Sequence, residues 1–294
     1  MKAQSTDGTA LYYEEHGQGM PLLFVHEFAG GHRSWEHQVR RFAGEYRCIT
    51  YSARGYPPSA VPATVDAYSQ ALAVDDAIAV LDAAGADTAH VVGLSMGGFA
   101  TLHLVLRHPG RVRSAVIAGV GYGSQPEKSE QFRRESHALA DAFDSRGSAN
   151  VAETYSVGPS RVQLQNKNPE AWREFAGALA QHDATGSALT MRGVQAGRPS
   201  LYDLQSELRA VRTPVLILAG DEDDGSLEPS VMLKRMIPTS GLLILPRTGH
   251  TANLEDPEAF NDAVARFLAA VNNGDWGERD PRAVSDSIMG IGYP

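Results

Sequence analysis

Cysteine is nearly absent from this chain. Cys48 is the single one among 294 residues, so no internal disulfide can form. Set in the apolar-flanked stretch "RCITY", it reads as a small buried hydrophobe rather than a reactive thiol. No apolar run approaches the ~18 residues of a membrane span. The opening "MKAQSTDGTA" lacks the apolar core of a secretory signal. Both point to a soluble, cytoplasmic protein that does not engage a membrane. Basic residues number 26 against 35 acidic ones and form no block, which argues against a nucleic-acid partner. There is no H-E-x-x-H, no cysteine cluster and no dinucleotide fingerprint, so neither a metal nor any other cofactor is called for. Internal repeats and low-complexity tracts are missing too.

What remains is an ordinary globular composition, 43% hydrophobic and 21% charged. After an alternating stretch, "TALYYEEHG", short apolar runs alternate with helix-like ones. "PLLFV", "YRCITY", "AHVVGL", "VRSAVIAGV", "TPVLILAG" and "GLLILP" read as strands. "YSQALAVDDAIAVLDAAG" puts Ala71, Val74, Ile78 and Leu81 on one helical face and stops at Gly85. "GGFATLHLVLRHPG" is a helix halted by Pro109, and "PEAFNDAVARFLAAV" lines up Phe260, Val264, Phe267 and Leu268. Such alternation predicts an α/β fold, a mostly parallel sheet with helices on both faces. Residues 124–210 contain no strand-like run but place Phe132, Leu139 and Phe143, then Trp172, Phe175 and Leu179, at helical spacing. A structureless loop that long is implausible, so this segment is expected to be a helical cap between core segments 1–123 and 211–272. The polar tail, 273–294, is expected either to lie loosely or to reach a neighbouring subunit.

The most informative stretch is "HVVGLSMGGFA". Gly93-Leu94-Ser95-Met96-Gly97 has the pattern G-x-S-x-G between a strand and a helix. A turn sharp enough to project a serine hydroxyl from the sheet edge needs flanks without Cβ atoms, which Gly93, Gly97 and Gly98 supply. At the start of the helix the Met96 N–H is free to meet an anion. A serine hydroxyl needs a base. His250, in "LPRTGHTANLEDP", follows the last strand on a short loop. The base needs an orienting carboxylate, and "VLILAGDEDDGS" offers Asp223 first, with Asp224 and Asp221 behind it.

Ser95, Asp223 and His250, each after a strand and in that order, resemble the α/β-hydrolase superfamily. The matching pieces are "VHEFAGGHRSW", "YSARGYPPS", "VVGLSMGG", "LILAGDEDD" and "PRTGHTANLEDP", and the resemblance covers all but the tail. It implies an eight-stranded sheet with the cap inserted after strand six. It also implies an acid three residues after the glycine that ends strand seven, which is Asp223. The residue after His26-Glu27 then gives half of the oxyanion hole, making Phe28 and Met96 the two backbone donors. His26 becomes a structural residue. Glu27 departs from the family, which usually has glycine there. An ion pair with Arg54 would stiffen the loop; the alternative is a solvated side chain turned away from the site.

These residues predict a serine hydrolase that cleaves a small carboxylic ester or amide through an acyl-enzyme. The alternatives are a carbon–carbon bond (vinylogous diketone) hydrolase and a slow-turnover ligand sensor with the same triad. Serine at the elbow disfavours dehalogenase and epoxide-hydrolase chemistry. The partner expected is a small-molecule substrate, with a second copy of the chain left open. In the cap, Arg192 or Arg198 would hold a substrate carboxylate unless cap acids or backbone already occupy it. Tyr122 would line the pocket or merely the rim.

Overall fold

The computed structural model describes residues 1–283. Among these residues eight strands form one sheet: β1 (Lys2–Gln4), β2 (Ala10–His16), β3 (Met20–Val25), β4 (Tyr46–Tyr51), β5 (Ala89–Leu94), β6 (Val112–Ala118), β7 (Val215–Gly220) and β8 (Ser240–Leu245). Their order is β1-β2-β4-β3-β5-β6-β7-β8. β1 pairs with β2, and β2 with β4, antiparallel; all later pairs are parallel. The residue pattern explains the difference. Every residue of β5 and of β7 is buried, as strands covered on both faces require, whereas β2 alternates. Leu23, Ile49, Val91, Ile117 and Ile217 fill one face of the sheet. Leu22, Phe24, Cys48, Val92, Val116 and Leu216 fill the other. Cys48 is fully buried, and burial pushes its thiol up to about 12, so it is the inert hydrophobe its setting suggests.

Among the described residues, eleven α-helices cover the sheet and its rim: α1 (Glu36–Phe42), α2 (Gln70–Ala83), α3 (Met96–Arg107), α4 (Pro126–Tyr155), α5 (Val162–Lys167), α6 (Pro169–Ala180), α7 (Ala184–Thr190), α8 (Gln205–Ala210), α9 (Asp224–Met236), α10 (Ala252–Glu255) and α11 (Pro257–Asn273). Ser69 caps α2 through the Leu72 N–H at 3.1 Å, and Gly85 ends it with φ +61°. Ala71, expected on the buried face of α2, lies exposed in the first turn, and burial runs instead through Val74, Ala77, Val80 and Leu81. Phe260, Val264, Phe267 and Leu268 bury the last helix as their spacing predicts.

No strand occurs between β6 and β7. The chain there forms α4 to α8, and α4 breaks direction at Gly147 (φ +74°). Phe143, Leu164, Phe175, Leu179 and Met191 of this helical layer pack on Phe28, Tyr56 and Met96 at the strand ends. The expectation of a loose tail fails over its first residues. Trp276 packs edge-to-face on Phe267 at 4.7 Å and donates its indole N–H to the Thr239 carbonyl (2.8 Å), and the Arg279 N–H reaches Pro238 O (3.0 Å). An aromatic anchor outweighs the polar composition around it. Residues 284–294 lie outside the described residues. Among the described residues no helix is long and apolar enough to cross a membrane.

Four histidines set an acid limit, three of them buried and His182 half-buried. Burial pulls His26, His90, His103 and His182 down to about 4 each. The unfolded chain takes up protons near pH 6.5 that the fold refuses until about pH 4, so stability falls with falling pH across that window. Denaturant midpoints taken from pH 7 to pH 4 should therefore drop well before the carboxylates titrate. A midpoint flat down to pH 4.5 would contradict this.

Candidate active site

The six parallel strands, β3 to β8, each deliver a loop to one edge of the sheet. β5 ends at Leu94, and Ser95 takes φ 55°, ψ −116°, a conformation that costs a non-glycine residue ~1–3 kcal/mol. Its N–H is tied to Ala118 O on β6 (2.8 Å), which holds the turn. A Cβ on Gly97 would stand 2.0 Å from Val25 O, and one on Gly93 would stand 2.2 Å from Gly97 O. No side chain fits at either position, and the close approach sets the end of β3 directly against the first turn of α3. Met96 opens that helix, so its N–H is among those that helix geometry leaves without an intrahelical partner.

Asp223 and His250 meet across β7 and β8. The His250 Nδ1 lies 2.8 Å from Asp223 Oδ2, and the two side chains are 5% and 0% exposed. Asp223 also accepts from Ser226 Oγ at Oδ2 (2.5 Å) and from the Tyr122 hydroxyl at Oδ1 (2.8 Å). Burial works to raise its pKa, but the charge and hydrogen bond of His250, then Ser226 and Tyr122, outweigh burial and hold it below the usual carboxylate range. Of the four acids in this loop only Asp223 is buried. Asp224 starts α9 at the surface, Asp221 accepts the Thr248 N–H (3.1 Å), and Glu222 accepts from Gln163. A Cβ on Gly119 would meet both Leu94 Cδ1 (3.1 Å) and His250 Cε1 (3.4 Å). The imidazole and the residue that precedes Ser95 therefore both border Gly119.

The His250 loop is clamped by a residue the sequence did not single out. Glu255 accepts the Gly249 N–H at Oε2 (2.6 Å) and both the Thr251 N–H (2.9 Å) and hydroxyl (3.0 Å) at Oε1. Hydrogen bonds to a charged acceptor are worth ~1.5–3 kcal/mol each. Glu255→Gln, which must turn an amide toward one of these donors, should lower the melting temperature and cut kcat roughly tenfold by loosening the imidazole. A variant as stable and as active as the parent protein would remove Glu255 from this role.

At the end of β3, His26 is structural as expected. It accepts the Ala53 N–H at Nε2 (3.0 Å), which leaves Nδ1 to donate to Glu27 O (2.6 Å), and its depressed pKa keeps it neutral. No backbone partner of the Phe28 N–H is found among the described residues. The expected Glu27–Arg54 pair does not form. Arg54 spends its donors on Asp76 (2.7 and 2.6 Å), Asp7 (2.7 Å) and Ala67 O (2.6 Å), a buried staple that leaves it nothing for a substrate. Glu27 is neither solvated nor paired with Arg54. Its carboxylate is buried against Arg161 from the cap, at 3.0 and 2.5 Å. Nothing in the linear sequence marks Arg161, which is 134 residues away from Glu27.

Of the two alternatives for the cap arginines, neighbouring acids and backbone occupy them. Arg192 bridges Asp141 (2.6 Å) and Asp144 (2.7 Å) of α4, so both ends of its guanidinium are taken. Arg198 is stacked on Phe99 (3.7 Å) and Phe132 (4.8 Å) and donates to Tyr122 O (2.6 Å) and Gln195. Burial without a carboxylate lowers Arg198 to about 9, still protonated at neutral pH. Tyr122 does more than line a rim: its hydroxyl holds Asp223 and its ring meets the His250 ring edge-on at 5.2 Å.

The chain is similar to many known proteins. The model of the "Alpha/beta hydrolase family" matches residues 22–263. A provisionally named carbamate hydrolase of Caulobacter sp. (strain K31) is 28% identical over 279 residues, covering 92% of this chain and 98% of its own. A 3-oxoadipate enol-lactonase of Acinetobacter baylyi is 27% identical, over 90% of this chain and 94% of its own. The solved structure of a thermophilic esterase from Thermogutta terrifontis superposes with a TM-score of 0.82 at 24% identity, over 92% of this chain and 98% of that one.

Proposed function

The chain belongs to the alpha/beta hydrolase family, and from that premise we propose that it cleaves a small carboxylic ester or amide through an acyl-enzyme on Ser95. In this reading His250 Nε2 takes the proton of Ser95 Oγ as the oxygen attacks the substrate carbonyl carbon. Asp223 fixes the Nδ1–H tautomer and stabilises the imidazolium. The tetrahedral oxyanion is met by the Phe28 and Met96 N–H groups, donors worth ~3–4 kcal/mol each in such sites. His250 then protonates the leaving alcohol or amine, and water repeats the sequence to release the acid.

One observation carries this reading: a buried carboxylate on His250 Nδ1 at 2.8 Å, beside the strand end from which Ser95 projects in a conformation few serines adopt. The aromatic and aliphatic layer over Phe28 and Met96 supports a small substrate, because a site roofed in this way excludes polymers. The relatives are named for carbamate and enol-lactone hydrolysis, which argues for including carbamates and lactones in the first assays. A panel of short-chain esters, lactones, carbamates, amides and vinylogous diketones should show turnover of at least one acyl class, with a burst of leaving group at the enzyme concentration. No turnover across the panel, or turnover without any covalent intermediate, would reject the proposal.

A further inference from the structure

Glu27 poses an electrostatic problem that the rest of the site does not solve. It immediately precedes Phe28, and a free carboxylate there would oppose the charge that the Phe28 N–H is to stabilise. As a general scale, two like charges about 6 Å apart at an effective dielectric constant near ~20 repel enough to slow a step on the order of 100-fold. The structure shows what cancels it. Arg161 Nη1 donates to Glu27 Oε1 (3.0 Å) and Nη2 to Oε2 (2.5 Å), and Nη2 also donates to the Tyr155 hydroxyl (3.1 Å). The guanidinium lies over the rings of Tyr155 (5.2 Å) and Phe175 (4.9 Å), and the Tyr155 ring in turn meets the Phe28 ring at 6.1 Å. Arg161 and Glu27 are 1% and 3% exposed, so water does little screening.

The stretch that carries Arg161 touches the other two loops as well. The Gln163 amide donates to Glu222, next to Asp223, and a Cβ on Gly249, next to His250, would stand 3.3 Å from Gln163 Cβ. Lys167 Nζ donates to Thr248 Oγ1 (3.2 Å) and lies 3.7 Å from Asp256. One short piece of the cap is thus fastened to the oxyanion loop, the acid loop and the histidine loop.

We propose that Arg161 is a positioning residue for the oxyanion hole: from the cap it delivers the positive charge that neutralises Glu27, so that the Phe28 N–H works at full strength only when the cap is seated. The inference rests on the acyl-transfer reading above. It differs from a purely structural ion pair in one respect. A structural pair suffers equally from the loss of either partner, whereas here only the loss of the cation leaves a negative charge beside the oxyanion.

The test compares R161M, E27Q and E27Q/R161M on the best ester of the panel, together with the rate at which a fluorophosphonate probe labels Ser95. R161M should lose about 100-fold in kcat with KM changed less than about threefold. E27Q should lose less than about tenfold, even where its melting temperature falls as far, and the double variant should recover to within about tenfold of the parent protein. Equal kcat losses in R161M and E27Q, or a double variant no faster than R161M, would overturn the proposal. If R161M does not fold, R161K and the double variant decide: an R161K kcat within about threefold of the parent protein, even where its melting temperature falls, upholds the charge argument, and a double variant about 100-fold below E27Q overturns it. A parent protein that the probe does not label at Ser95 would sink the acyl-transfer reading itself. A labelled parent with R161M labelled equally fast would sink only the role of Arg161.

Discussion

Ser95→Ala is expected to lower kcat by about a million-fold, with KM for the same ester little changed. The size follows from the division of labour: the nucleophile and its base act as a unit, so removing either leaves only the oxyanion donors and binding. The backbone makes a second demand. At φ 55°, ψ −116° Ser95 sits where L-residues are strained, and alanine inherits that strain while glycine does not. Ser95→Gly should therefore be more stable than Ser95→Ala by about 1 kcal/mol, although both are inactive. Melting curves and single-turnover assays on the pair measure the two effects separately. A Ser95→Ala variant retaining more than about a hundredth of the activity would move the chemistry elsewhere.

Asp223→Asn should cost about 10⁴-fold in kcat, because an amide beside Nδ1 favours the wrong imidazole tautomer. The fold also resists the change. Asp223 accepts from Ser226, Tyr122 and His250, and the new NH2 must face one of these donors, a mismatch worth ~1–3 kcal/mol. The pH dependence has a definite sign. The carboxylate is held below its ordinary range, so the stability it contributes is present above the unfolded value near ~3.9 and is lost as pH falls through the depressed folded value. The stability gap between the parent protein and Asp223→Asn should be full near neutrality and narrow only in that acidic window. A gap that widened on acidification would show that the carboxylate is not stabilised in the ionised form.

Much of this was legible because it depends on local pattern. Continuous apolar runs identify the parallel strands, and the glycines around Ser95 identify a turn in which Val25 O and Gly97 O leave no room for a side chain. The order Ser95, Asp223, His250 follows from loops leaving one edge of the sheet. Charge pairing was not legible. Glu27 and Arg54 are both near the strand ends, yet Arg54 turns to Asp76 and Asp7 while Glu27 finds Arg161. Those choices depend on how the cap seats on the core, and no periodicity encodes that. Glu255 is silent in the sequence for a related reason: its carboxylate folds back on its own loop, where a single acid among surface-looking residues gives no signal. Trp276 stood in a polar tail whose composition masked an anchor.

The most direct test of the proposed site is a crystal structure of the phosphonate adduct. A phosphonyl group is expected on Ser95 Oγ alone, with one phosphoryl oxygen about 3 Å from the Phe28 and Met96 nitrogens and His250 Nε2 within hydrogen-bond reach of the adduct. An adduct on any other residue, or an imidazole that stays on Asp223 yet out of reach of the modified serine, would contradict it.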